Sequence, residues 1–133
     1  MSTPESRPEI DNDIIELAGL VFDAARAGDT AGIRGYLDAG VPVNLTNGSG
    51  DTLIMLASYH GHAELTGLLV ERGADVNTRN DRGQTPLAGA VFKGYQEIFR
   101  ILLDAGADPD SGSPTARETA GFFKRQEMLD LLG

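Results

Sequence analysis

A step of 33 residues runs through this chain in several registers at once. Gly28, Gly61 and Gly94 keep it, as do Gly40, Gly73 and Gly106, then Leu37, Val70 and Leu103, Ala24, Ala57 and Ala90, and Asn44, Asn77 and Asp110. Five columns in one register are hard to reach by chance. A period of this length marks a chain built from stacked supersecondary units. The stretch "GQTPLAGAVFKGYQEIFRILLDAGADPD" shows what one unit is. Thr85 can accept a backbone N–H at a helix N-cap. Pro86 suits the first helical position, where its missing N–H is no loss. A short helix then ends near Gly94. Ile98, Ile101 and Leu102 follow at helical spacing in a second helix, and Gly106 stands where a left-handed residue would close it. "ADPDSG" leads out through a turn. One unit is therefore helix, tight turn, helix and extended loop. Two helices this short cannot bury a face alone, but stacked copies can, so the core is built between units.

The composition agrees. The 133 residues are 41% hydrophobic, with no tryptophan and few aromatics, which predicts an aliphatic core of one domain. The 17 glycines fit a chain that turns often. A formal net charge of -9 disfavours nucleic acid and anionic lipid as partners. The absence of cysteine removes disulfides, thiolate nucleophiles and Cys-ligated zinc. "MSTPESRPEIDND" is polar and acidic, whereas a secretory signal starts basic and continues apolar. No stretch approaches the roughly 18–20 apolar residues of a membrane span. A cytoplasmic chain is the expectation, with residues 1–12 as a disordered acidic leader.

These units resemble the ankyrin repeat family. The signature Gly-x-Thr-Pro-Leu-His-x-Ala is met by Gly83, Thr85, Pro86, Leu87 and Ala90. Gly-His, Leu-Leu and Gly-Ala-Asp-x-Asn are met by Gly61 and His62, Leu68 and Leu69, and Gly73, Ala74, Asp75 and Asn77. The resemblance covers about residues 14–133 and implies an all-α ankyrin-repeat solenoid of about four helix–turn–helix units with hairpin-like connecting loops. Its repeat domain would occupy residues 13–133: an N-terminal capping repeat over 13–46, repeats over 47–79 and 80–112, and a truncated C-terminal capping repeat over 113–133. Met55 and Ala88 replace the signature His, and Leu53 replaces the Pro, which should weaken hydrogen bonding at the turns while keeping the helices.

Little in this inventory supports catalysis. There is no Gly-x-Ser-x-Gly elbow and no Gly-x-x-x-x-Gly-Lys phosphate loop. The two histidines, His60 and His62 in "YHGH", leave a metal-binding alternative open, but the resemblance assigns His62 to supporting a turn. The Asp residues sit in turns, where they accept backbone hydrogen bonds. The expectation is a non-catalytic protein without a cofactor.

What remains is binding. The resemblance implies a concave groove lined by turn tips and first helices. Two residues beyond Ala24, Ala57, Ala90 and Ala120 stand Arg26, Tyr59, Phe92 and Phe122; the next column reads Ala27, His60, Lys93 and Phe123. Three of the eight Phe and Tyr thus share one column with an arginine, and exposed aromatics with Arg are the usual anchors of binding hot spots. The expected partner-binding set is Arg26, Asp51, Tyr59, His60, Arg79, Asp81, Arg82, Gln84, Phe92, Lys93 and Phe122, for an unidentified partner protein with some negative charge. A monomer is expected, with a homodimer through the same stripe as the alternative. Some small bacterial family members accompany oxidant defence, which makes a self-associating accessory role the rival function. On a packing-only reading, Tyr59 and Phe92 stack on each other and Phe122 plugs the C-terminal cap. For Phe123 the plug is the favoured reading.

Overall fold

A computed structural model of the protein describes the backbone of residues 3–133 and the side chains of residues 13–133. Its described residues form eight helices: α1 (Thr3–Ala27), α2 (Thr30–Asp38), α3 (Leu53–Tyr59), α4 (Ala63–Glu71), α5 (Pro86–Lys93), α6 (Gln96–Asp104), α7 (Ala116–Phe122) and α8 (Gln126–Leu132). Of the disordered leader expected over residues 1–12, the backbone from Thr3 is instead helical as the start of α1, and its side chains lie outside the described residues. Each odd helix packs on the even helix that follows it. The odd helices α1, α3, α5 and α7 also pack side by side in one layer, and α2, α4 and α6 do so in the other. This is an all-α repeat solenoid. Strand character is limited to isolated bridges, Thr46 with Thr52 and Gly112 with Thr115, in the loops between pairs. No described helix is long and apolar enough to cross a membrane.

The helices start where the sequence places an N-cap. Thr52, Thr85 and Thr115 accept from the N–H of Met55, Ala88 and Glu118 at 3.2, 3.2 and 3.0 Å. Glu118 closes a capping box by accepting from the Thr115 N–H at 2.9 Å, which satisfies two otherwise orphan donors. Leu53, at the position where the following repeat has Pro86, is wholly buried. The core between the units is mainly aliphatic: Ile33, Leu53, Ile54, Leu65, Leu69, Leu87, Ile98 and Leu102 are buried. It is not purely so, because Phe22 and Phe99 are buried with them. Their rings fill volume that two thin helix layers of Leu and Ala would leave open.

The asparagine column is a ladder between units. Asn44 Oδ1 accepts the Asp75 N–H at 2.8 Å, and Asn77 Oδ1 accepts the Asp108 N–H at 2.7 Å. Within each turn, the Asp75 and Asp108 carboxylates accept from the N–H of Asn77 and Asp110. The aspartates therefore serve the turns, as their positions suggest.

The first glycine column has two reasons to exist. Gly28 takes φ 73°, and a Cβ there would stand 2.4 Å from the His62 ring of the next unit. That ring is fixed, since His62 Nε2–H donates to the Arg26 carbonyl at 2.7 Å. Gly94 repeats the arrangement with φ 77° beneath the Arg125 guanidinium, which donates to the Val91 and Phe92 carbonyls at 2.7 and 3.1 Å. In the last unit the same place is held by Lys124 with φ 56°.

Two stability outcomes follow. Leu102→Ala removes a wholly buried inter-unit side chain and should lower the unfolding free energy by about 2–5 kcal/mol in chemical denaturation; a loss under about 1 kcal/mol would contradict the packing described. Gly28→Ala should cost more than Gly106→Ala, although both positions have positive φ, because only Gly28 also meets a neighbour. Adding His62→Ala should recover part of the Gly28→Ala loss in a double-mutant cycle. Strict additivity would refute the steric coupling.

Candidate functional site

The odd helices end in side chains that the core does not take. Tyr59, Phe92, Phe122 and Phe123 are 37%, 48%, 73% and 44% exposed, so half of the eight Phe and Tyr stand on one face of the odd-helix layer. Apolar rings held in water carry a free-energy cost that a partner relieves. Their arrangement departs from simple stacking down the column. Phe92 meets Phe123 edge-on, with centroids 5.4 Å apart, and Phe123 stacks on Phe122 at 5.0 Å. Tyr59 instead meets His60 edge-on at 5.8 Å and carries the Lys93 ammonium over its ring at 4.9 Å. The plug expected of Phe123 is absent. Met128 is the buried α8 side chain, and the α7 face turned to the core is small, with Ala116, Thr119 and Ala120.

Two cavities open along this face. An apolar one of about 810 Å³ is lined by Met55, Tyr59, Ala88, Phe92, Phe122 and Phe123, with Gln84, Gly89, Ser113, Pro114, Glu118 and Thr119 completing it. Gly89 lets Tyr59 lie across α5: a Cβ there would come within 3.3 Å of the ring. A polar cavity of about 300 Å³ is lined by Arg26, Asp51, Tyr59, His60, Arg82, Gln84, Asn47 and Asn80 among others. Tyr59, Met55 and Gln84 belong to both and form the partition.

The turn tips are set by two asparagines that sequence reasoning passed over. Asn47 Oδ1 accepts from the N–H of Ser49 and Asp51, both at 2.9 Å. Asn80 Oδ1 does the same for Arg82 and Gln84 at 3.0 Å. Asn80 Nδ2–H₂ then donates to Asp51 Oδ1 and Gln84 Oε1 at 2.9 and 2.8 Å. The Asp81 N–H donates to the Ser49 carbonyl at 3.0 Å, tying one tip to the next. Asp51 and Gln84 thus have structural duties in addition to their place on the surface. Asn47 and Asn80 are themselves 33 apart, so the signal for them was present.

The remaining predicted residues divide. Arg26, Asp51, Tyr59, His60, Arg82, Gln84, Phe92 and Phe122 line one cavity or the other. Arg79, Asp81 and Lys93 do not: Arg79 reaches toward Ser111 Oγ at 3.4 Å, and Lys93 lies over Tyr59. Met55 and Ala88 were identified only as departures from a signature, yet with Glu118 they make a column along the apolar cavity. His62 is committed to the Arg26 carbonyl, and the described residues hold no group of three or more His, Cys, Asp or Glu placed for a metal ion.

His60 reports the local field. Its pKa lies below the ordinary histidine value, first because of what burial this largely exposed ring has, then because of His62, Arg26 and Lys93. A positive neighbourhood in a chain of net charge -9 is local, since screening confines it to about 8–10 Å. An NMR titration should give His60 a midpoint below about 6.5. Arg26→Ala should raise that midpoint by removing one repulsive cation. A midpoint at or above the ordinary value, unmoved by Arg26→Ala, would show the polar cavity to be electrostatically neutral.

Comparison with known proteins gives the same architecture. The family model for ankyrin repeats, in three copies, matches residues 21–113. A curated ankyrin repeat protein of Pseudomonas aeruginosa is 46% identical over 66 residues, which is 50% of this chain and 39% of the relative. The chain therefore aligns with well under half the length of that protein.

Proposed function

The chain belongs to the ankyrin repeat family, whose repeats are in general non-catalytic protein–protein interaction modules, and we propose that this member binds a partner protein through the face formed by its odd helices and turn tips. One observation carries the reading. The exposed rings Tyr59, Phe92, Phe122 and Phe123 are gathered beside a cavity of about 810 Å³, while α2, α4 and α6 pack as a separate layer behind. Recognition rests on rigidity. Phe92 projects from α5, whose end is pinned to the next unit by Arg125, and Arg26 from α1, whose end is pinned by His62, so little order remains to be gained there on binding, and a few contacts suffice. Tyr59, Phe92 and Phe122 supply the desolvated centre and the polar turn tips supply the rim.

The test is a paired capture from host lysate followed by reconstitution with the purified partner. One bait is the wild-type chain; the second carries Tyr59→Ala and Phe92→Ala with its circular dichroism unchanged. A third carries Glu97→Ala, at an exposed site on α6. The expected outcome is a partner lost with the double variant, at a cost of about 2 kcal/mol or more per hot-spot ring, and retained with Glu97→Ala. A partner held equally by all three baits would move the interface off the aromatic face.

A further inference from the structure

The groove is chemically two-ended. At the α1–α3 end, the polar cavity gathers Arg26, His60 and Arg82. Arg82 has no ion-pair partner among the described residues. Arg26 pairs with Asp23 at 3.0 Å, but both side chains are open to solvent, at 42% and 76%, and such a pair is readily exchanged. The carboxylate in this cavity, Asp51, already receives the Asn80 amide at 2.9 Å. At the α5–α7 end, the apolar cavity offers Phe92, Phe122 and Phe123. Its acid, Glu118, accepts from the Thr115 N–H and would repel a second carboxylate. Tyr59 stands between the two ends and borders both.

We propose that this groove holds an extended protein segment in which an acidic side chain neighbours a bulky apolar one. The carboxylate sits between Arg26 and Arg82, and the apolar side chain enters the aromatic cavity across Tyr59. The assignment rests on the groove reading above and adds the chemistry and polarity of the occupant. Charge complementarity favours the acid at the α1–α3 end, where Arg26 and Arg82 both line the cavity, over the other end, where Glu118 lines the cavity and Arg125 lies over Phe123 while bonded to the Val91 and Phe92 carbonyls. Arginine suits this task because its planar fork binds a carboxylate through two parallel hydrogen bonds. An extended segment advances about 3.3 Å per residue, so a few residues link the two cavities. Basic segments gain nothing at the Arg26 and Arg82 end.

The experiment uses the intact chain and a displayed library of random dodecapeptides, with selected peptides resynthesised and measured by calorimetry. Three proteins are compared: wild type, Arg82→Glu, and Tyr59→Ala with Phe92→Ala. Support would be a set of peptides pairing Asp or Glu with Phe, Leu or Met at a fixed spacing, and a shift of the His60 ring signals on binding. Affinity should fall about tenfold or more when the acid becomes Lys or the protein carries Arg82→Glu, and a peptide with Lys in place of the acid should recover affinity for Arg82→Glu. Peptides that need Tyr59 and Phe92 but show no acidic preference would overturn the assigned chemistry and leave the groove reading intact. Peptides indifferent to the double variant would overturn both. Enrichment of no sequence would overturn the inference of a linear segment, and the lysate capture would still decide the groove. A wild-type dimer dissociated by Phe92→Ala in sedimentation would overturn it in favour of a second copy as occupant.

Discussion

Neighbouring units in this molecule are tied together by side chains that bond to each other's backbone. His62 donates to the Arg26 carbonyl and Arg125 to those of Val91 and Phe92, and Asn44 and Asn77 accept from Asp75 and Asp108. Helices of seven to nine residues, such as α3, α4, α5 and α6, are too short to persist alone in water. Their last carbonyls lack intrahelical partners and need satisfaction from elsewhere. A cation near a helix C-terminus also meets the negative end of its dipole, and Arg125 does so for α5. Stacking therefore does two things at once. It buries the apolar faces, and it caps the helices.

The same carbonyls place the groove. Arg26, Val91 and Phe92 are the acceptors, and Arg26 and Phe92 are also groove residues. A bond that ties two units together thus fixes the backbone from which a binding side chain projects. The glycines complete this coupling, because Gly28 and Gly94 leave space for the reaching ring and guanidinium. Loosening the stack would loosen the exposed face, so the stability of the stack and the order of that face are coupled at these positions.

The repeat made most of the fold legible in the sequence. Helix starts at Thr85 and Thr115, the close of α5 at Gly94, and the buried place of Leu102 all follow from spacing and residue type, because each depends on its own unit and an identical neighbour. The exposed aromatic face was legible as a column, since Tyr59, Phe92 and Phe122 recur at one place in successive units and all three are exposed. What escaped was whatever broke the repetition or served it silently. Phe123 was read as a plug, and it stands exposed at the C-cap of α7, off the buried face that Ala116, Thr119 and Ala120 form. Asn47 and Asn80 keep the period but lack the apolar or catalytic character that draws attention, so their hold on the turn tips emerged only with the coordinates. The exposed stripe of Ile14, Ile15, Leu17 and Leu20 on α1 was likewise missed, because the first unit lacks the Thr-Pro start that sets the register elsewhere.

On the proposed reading, charge sets the manner of recognition. A chain of net charge -9 repels an acidic segment at long range, so electrostatic steering cannot speed the encounter. Any attraction is confined to within about 8–10 Å of Arg26 and Arg82, where an incoming carboxylate competes with Asp23 for Arg26 and shares the cavity with Asp51. Specificity must then come from short contacts made after collision: a carboxylate matched to guanidiniums, and an apolar side chain matched to rings. A surface that worked in this way would reject a segment that offers either feature alone. An acid without an apolar neighbour meets the net repulsion with no hydrophobic gain, and an apolar side chain beside a lysine leaves two arginines facing a like charge.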